Sequence, residues 1–354
     1  MSTSPNPDFR PLGHFNTPVS SAHSEPVRQD SPVAVSHAPT IHLHASKASK
    51  YIDLAFRYSL LLCAISIIAI MALFFYELTS RSKLSISKFG FAFFTGKTWD
   101  PVAGEFGAMP FIYGTLVSSL VALVLAVPLA VGVSVFVTEL CPRKFRGIIS
   151  FTVELLAAIP SVIYGLWGIF VLAPILRNSV QPWLSTYLGW TGMFVGPAYG
   201  IGMLAAGIIL AIMIIPIIAS ITREVLIAVP QTQREAVLAL GATRWEMVRM
   251  AVLRNARVGI MGGIILGLGR AIGETMAVTM LIGNRPEIAK SLFAPGYTMA
   301  SVIANEFSEA TDDLYLSALV EIGLVLLIVT VIVNACARLL VWSITRGHSV
   351  RANA

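Results

Sequence analysis

Arg270 and Glu274 stand four residues apart inside a strongly apolar stretch, Val258–Ile282. A guanidinium followed by a carboxylate at this spacing can form an ion pair within one helix. Gly259, Gly263 and Gly267 repeat every four residues around it, the small-residue spacing that lets helix backbones approach closely. At about 100° per residue, with Gly259 at zero, Gly263 and Gly267 fall near roughly 40° and 80°, and Arg270 and Glu274 near roughly 20° and 60°. Both charges are thus expected on the glycine face. Gly262, Gly269 and Gly273 widen it on one flank, and Ile264, Ile265, Leu268, Ile272 and Met276 take the opposite side for lipid or apolar packing. An arginine about 18 Å into a span costs at least about 2.5–3.5 kcal/mol unless it faces protein or water.

Two uses of the pair fit these residues. One is a neutral lock between helices. The other is an anion path, in which the Arg270 fork orients a tetrahedral oxyanion and Glu274 tempers the attraction so that the solute leaves. Glu274 would also accept a hydrogen bond from a protonated oxyanion, which favours phosphate over sulfate.

The rest of the chain must place that pair in a membrane. Of 354 residues 56% are apolar and 12% charged, and the mean hydropathy is +0.77. A soluble surface cannot be covered with so little charge, which excludes an ordinary soluble enzyme. Six apolar runs reach the length of a membrane helix, near Tyr58–Tyr76, Phe111–Val137, Ile148–Leu176, Tyr199–Ile221, Val258–Ile282 and Leu314–Leu340. Helix is required because an open sheet leaves unpaired edges in lipid. The expectation is an all-α integral membrane protein with six transmembrane helices.

Lysine and arginine gather in Thr138–Gly147, Thr222–Arg257 and the tail, and thin out in the three alternate loops. That bias puts both termini and the long Thr222–Arg257 loop in the cytosol. It also accounts for the net charge of +6 without nucleic acid. Residues 1–50 hold seven prolines and five of the six histidines. They read as a disordered cytosolic extension, with a histidine metal tract around His42 and His44 as the other reading. Residues 51–110 hold the first span and an extracytoplasmic segment, 111–342 the remaining spans, and 343–354 a cytosolic tail. The three cysteines form no disulfide framework or metal cluster.

The water-facing segment 232–256 reads as two capped helices. Thr232-Gln233-Arg234-Glu235 and Thr243-Arg244-Trp245-Glu246 are both capping boxes, with Gly241 a left-handed stop between them. Such short helices need a partner for their apolar faces, either the bilayer surface or a soluble protein. Glu235-Ala236, with Gly241 six positions after the glutamate, resembles the EAA loop of ATP-binding-cassette importer permeases. Val237 and Arg254 depart from that pattern, standing where alanine and proline are usual. The resemblance implies that Glu235, Ala236, Gly241 and Ala242 seat in an ATPase subunit. The chain has no phosphate-binding loop of its own: Gly90 to Lys97 has five residues between its glycines where four are required.

The run Gly267-Leu268-Gly269-Arg270-Ala271-Ile272-Gly273-Glu274-Thr275-Met276-Ala277-Val278 resembles the fifth-span signature of permeases in bacterial high-affinity phosphate importers, in their PstC-type branch. Trp99-Asp100-Pro101, Phe106 to Thr115, Glu154 to Gly165 and Ser301 to Phe307 fit the same family. The resemblance implies a type I importer permease fold in the bacterial inner membrane. It also implies a sister permease, two ATPase subunits and a periplasmic phosphate-binding protein. No cofactor would be bound by this chain, ATP and magnesium being used by the ATPase. Glu154 and Glu321 either line the path or pack. Sulfate, molybdate and phosphonate stay open as solutes, and so does a passive anion channel, which needs no ATPase dock. An intramembrane protease is excluded because no histidine lies in the six runs.

Overall fold

The computed structural model describes residues 47–349. The extension assigned to 1–50 lies outside the described residues up to position 46, together with His42 and His44, and so do residues 350–354 of the tail. The chain forms two units, Met1–Ala64 and Ile65–Ala354. Of the first, the opening turns of helix α1 (Lys47–Arg81) are described, so the chain is already helical at Lys47. Side chains 51–64 are all exposed.

The second unit continues with α2 (Lys83–Phe89), α3 (Ala92–Thr95) and a two-stranded hairpin, β1 (Trp99–Asp100) and β2 (Glu105–Phe106). The strands are antiparallel, Trp99 opposite Phe106. Then come α4 (Met109–Val135), α5 (Arg143–Ala158), α6 (Ser161–Trp167), α7 (Ala173–Ile175) and α8 (Gln181–Leu188). They are followed by α9 (Met203–Ile227), α10 (Gln231–Ala239), α11 (Arg244–Met247) and α12 (Arg254–Ile272). The last are α13 (Met276–Leu281), α14 (Met299–Glu306) and α15 (Asp313–Ser349).

Among the described residues six helical stretches are long and apolar enough to cross a membrane: Tyr51–Arg81, Met109–Leu140, Ser161–Thr191, Met203–Ile227, Arg244–Ile272 and Asp313–Ser343. The all-α, six-span reading holds. The third span is shifted from its expected limits. Pro160 does not lie inside a helix but caps α6, with Ile159 before it extended at ψ 128°. A residue preceding proline is pushed out of the α region, so the helix must break there. Residues 143–158 are therefore a separate helix, α5, none of whose residues is buried.

The core is α9 packed against α4 and α12. Ala122, Ala126 and Ala130 of α4 and Leu210, Ile214 and Ile218 of α9 are all essentially buried. Small residues on one helix facing branched ones on the other give the close approach that association in lipid requires. At its start α9 is capped by a loop: the amides of Met203 and Leu204 donate to the carbonyls of Ala294 and Leu292, at 3.1 and 2.8 Å. A second cluster gathers Phe93, Trp99, Phe106, Phe111, Tyr297 and Ile322. There a β-carbon at Gly114 would overlap the carbonyl of Tyr297, so only glycine lets α4 pass.

Candidate functional site

The fifth span stops early. Helix α12 ends at Ile272, and Gly273, Glu274 and Thr275 are non-helical before α13 resumes at Met276. Glu274 therefore has no helix for the 100° rule to refer to, and the expectation of one continuous helical face is corrected at that point. Nη2 of Arg270 lies 4.0 Å from Oε2 of Glu274, with side-chain exposures of 48% and 9%. The arginine is open and the carboxylate is sheltered.

The glycines divide into two sets. A β-carbon at Gly259, Gly263 or Gly267 would press on Val225, Ile221 or Ile218 of α9, whereas Gly262 and Gly269 have open space beside them. A guanidinium has no room in a contact that barely admits hydrogen. Arg270 lies instead on the open flank, where it lines a groove of about 970 Å³ together with Gly262, Gly269, Thr330, Asn334 and Arg338. Of the residues expected on the opposite side, Ile272 is buried and Ile264 and Leu268 are half-buried, whereas Ile265 lines the same groove as Arg270 and Met276 is exposed. Thr330, Asn334 and Arg338 were not singled out from the sequence. Their spacing of four along an apolar helix was the available signal.

The loop between the fourth and fifth spans is built in part as expected. Thr243 and Glu246 form a reciprocal capping box, Thr243 N–H donating to Glu246 Oε2 at 2.8 Å and Glu246 N–H to Thr243 Oγ1 at 3.3 Å. Gly241 has φ +84°, the left-handed stop. The box at Thr232 does not form, because the helix begins two residues earlier than such a cap requires, at Gln231, with Pro230 in the N-cap position. A proline pre-set at φ −58° displaces the threonine. The second helix is not a short piece: α11 passes through a π turn, Val248–Leu253, directly into α12. Motion at the loop is thus joined to the helix carrying Arg270. At the tip Glu235, Ala236, Leu238, Leu240 and Trp245 are exposed, Leu240 at 88%, and Ala242 is half-buried.

One anchor of this loop had no local signature. Arg234 donates from Nη1 to the Val229 carbonyl at 2.7 Å and from Nη2 to the Leu226 carbonyl at 2.8 Å. Its Nη2 also meets Glu139 Oε1 at 3.1 Å, and both side chains are nearly buried. Removing one member of such a pair strands the other charge, at a cost of about 3–5 kcal/mol. Arg234→Ala is expected to lower the thermal unfolding midpoint of the purified protein, and Arg234→Ala with Glu139→Gln to recover much of it. An unchanged midpoint in the single variant would rule out the anchoring role.

Of the two other acids, Glu154 lies on α5 rather than in a span, and pairs with Arg223 of α9 at 2.8 Å. Glu321 is 2% exposed, with Oε2 unpartnered. Neither lines the groove that holds Arg270. Three of the other family motifs, Trp99 to Pro101, Phe106 to Thr115 and Ser301 to Phe307, converge on one knot, while Glu154 to Gly165 lies on α5 and α6. Trp99 Nε1 and Tyr315 O–H donate to Glu306 Oε2 at 2.8 and 2.7 Å, and Asn305 donates to the Tyr297 hydroxyl at 3.1 Å. Burial pushes that hydroxyl above the ordinary tyrosine range, so it stays neutral. No group of acids, histidines and cysteines able to hold a metal occurs among the described residues.

Residues 43–346 match the family described as binding-protein-dependent transport system inner membrane component. A phosphate transport system permease protein PstC of Mesorhizobium japonicum is 51% identical over 266 residues, 74% of this chain and 81% of that protein. The PstC protein of Pasteurella multocida is 44% identical over 299 residues, covering 83% and 93%. Among solved structures, a bacterial ABC transporter involved in the import of the acidic polysaccharide alginate has a chain that aligns with a TM-score of 0.54 at 16% identity. That alignment covers 81% of this chain and 98% of the other, and it speaks for the type I importer permease fold. The chain belongs to the family of binding-protein-dependent transport system inner membrane components, among the PstC-type permeases.

Proposed function

We propose that this chain is the channel-forming permease subunit of an ATP-driven importer that moves inorganic phosphate across the bacterial inner membrane. The observation that carries the reading is a half-exposed arginine on a groove-lining helix, with a sheltered carboxylate 4.0 Å away. Arg270 attracts the anion and orients two of its oxygens through its planar fork. Glu274 accepts a hydrogen bond from the O–H that phosphate retains near neutral pH and limits how tightly the anion is held. The PstC names of relatives at 51% and 44% identity support phosphate over other oxyanions.

ATP hydrolysis belongs to a separate subunit in this reading, and the chain binds no cofactor itself; ATP and magnesium stay with the ATPase. The exposed tip at Glu235, Ala236, Gly241 and Ala242 seats in that subunit, with Leu240 and Trp245 supplying apolar contact. A sister permease completes the channel, two ATPases bind at the loop end, and a periplasmic phosphate-binding protein delivers the solute at the other. Both termini face the cytosol, as the lysine and arginine bias implies. Copurification with the ATPase, followed by phosphate uptake in proteoliposomes, tests the proposal. Uptake is expected only with ATP and the binding protein present, and excess sulfate should not compete. Uptake that runs equally without ATP would replace the importer by a channel.

A further inference from the structure

We propose that Arg338 is a second anion-binding station in the groove, receiving from Arg270 the same tetrahedral oxyanion. This inference rests on the phosphate reading above and adds a residue to it. The groove's lining carries two guanidinium groups, Arg270 and Arg338, and no carboxylate. Its walls are otherwise mostly apolar side chains, which leave the two cations poorly screened and focus their field on any anion between them.

Topology sets their order. Among the described residues no membrane-length helix intervenes between α12 and α15, so the two run antiparallel. Gly262 and Arg270 line the groove from α12, and Thr330 and Arg338 from α15. Each pair is eight residues apart, about 12 Å along a helix. Arg270 therefore sits level with Thr330, at the end far from the Gly241 loop, and Arg338 sits level with Gly262, at the near end. An anion travelling from Arg270 toward the loop reaches Arg338 after roughly 12 Å.

The near end has few competing polar groups. Asn334 donates its amide to the Thr330 carbonyl of its own helix at 2.9 Å, leaving its amide oxygen as an acceptor. Arg338 takes part in none of the ion pairs found among the described residues. Its guanidinium is thus the principal donor at that end. The charge-tempering carboxylate is found only near Arg270, so the two stations differ: one charge-balanced, the other cationic.

A lipid phosphate offers Arg338 the same chemistry, and the test separates the two sources. Phosphate uptake by the complete transporter is measured in phosphatidylcholine vesicles and in vesicles with added phosphatidylglycerol. Arg338→Gln is expected to lower uptake at least about tenfold in both, the loss of about 1.4 kcal/mol of charge-assisted binding, and Arg338→Lys to recover most of it. Wild-type uptake by Arg338→Gln would overturn the proposal, and so would a defect confined to vesicles with phosphatidylglycerol, which marks a headgroup anchor.

Should Arg338→Gln not assemble, Ala335→Cys decides, in a chain with Cys63, Cys141 and Cys336 replaced by serine. Modification by an anionic methanethiosulfonate, slowed by inorganic phosphate, supports the station; an unreactive thiol overturns it. Arg270→Ala is run alongside. If it too transports normally, the phosphate path itself falls; if it is inactive while Arg338→Gln is normal, only the second station falls.

Discussion

Arg270→Ala is expected to cut ATP-dependent phosphate uptake by roughly 10- to 100-fold while the subunit still assembles. The magnitude follows from removing charge-assisted hydrogen bonds worth about 1.5–3 kcal/mol to a bound anion. Assembly should survive because the side chain is 48% exposed and its ion-pair partner is 4.0 Å away. The substitution does leave Glu274 sheltered without its counter-charge, and that difficulty supplies the decisive control. If the pair is only a lock between helices, Arg270→Ala combined with Glu274→Gln removes both charges and should restore transport. If Arg270 handles the solute, the neutral double variant assembles and still does not transport. Recovery of uptake in the double variant would end the anion-path reading, and the measurement is radiolabelled phosphate accumulation normalised to copurified ATPase.

Gly241→Pro should abolish coupled transport through a different physical route. Gly241 sits at φ +84°, and its amide donates to the Leu238 carbonyl at 3.0 Å. Proline is fixed near φ −65° and has no N–H to donate, so both the turn and its hydrogen bond are lost. The change re-aims Leu240 and Trp245 and shifts the capped start of α11. Because α11 runs into α12, any surviving ATP hydrolysis should proceed without phosphate accumulation, or the ATPase should fail to copurify. Space is not the issue, since nothing lies within 4 Å of a β-carbon at this position. Gly241→Asn is therefore the matched control, because asparagine tolerates the left-handed region. It should retain most coupling, and normal coupled uptake by Gly241→Pro would dismiss the docking role of the loop.

The spans were legible because each is a long unbroken apolar run, and such a run has one solution in lipid. The breaks were less so. The third run was expected to continue from Ile148 to Leu176 through Pro160, although the residue before a proline resists the α region, and that carried Glu154 into the membrane. Gly273 was counted as part of a helical face, so the angle assigned to Glu274 had no helix to refer to. Of the two capping boxes, Thr243 formed and Thr232 did not, because the helix starts at Gln231 and Thr232 already lies within its first turn. Partners distant in sequence left no local trace: Glu139 and Arg234 are 95 residues apart, and Trp99 and Glu306 are 207. The glycine spacing correctly announced a close helix contact at Gly259, Gly263 and Gly267. What it did not announce is that the arginine must turn away from that contact into the neighbouring groove.

The interruption at Gly273–Thr275 has one more consequence. A carboxylate riding on a regular helix would keep a fixed offset from Arg270, set by the screw of the backbone. Glu274 rides on a non-helical link, so its separation from the guanidinium is set by the torsions of Gly273, Glu274 and Thr275 and not by a helical repeat. Dwell time and turnover are then adjustable by small changes at Gly273 or Thr275, leaving the packed scaffold as it was.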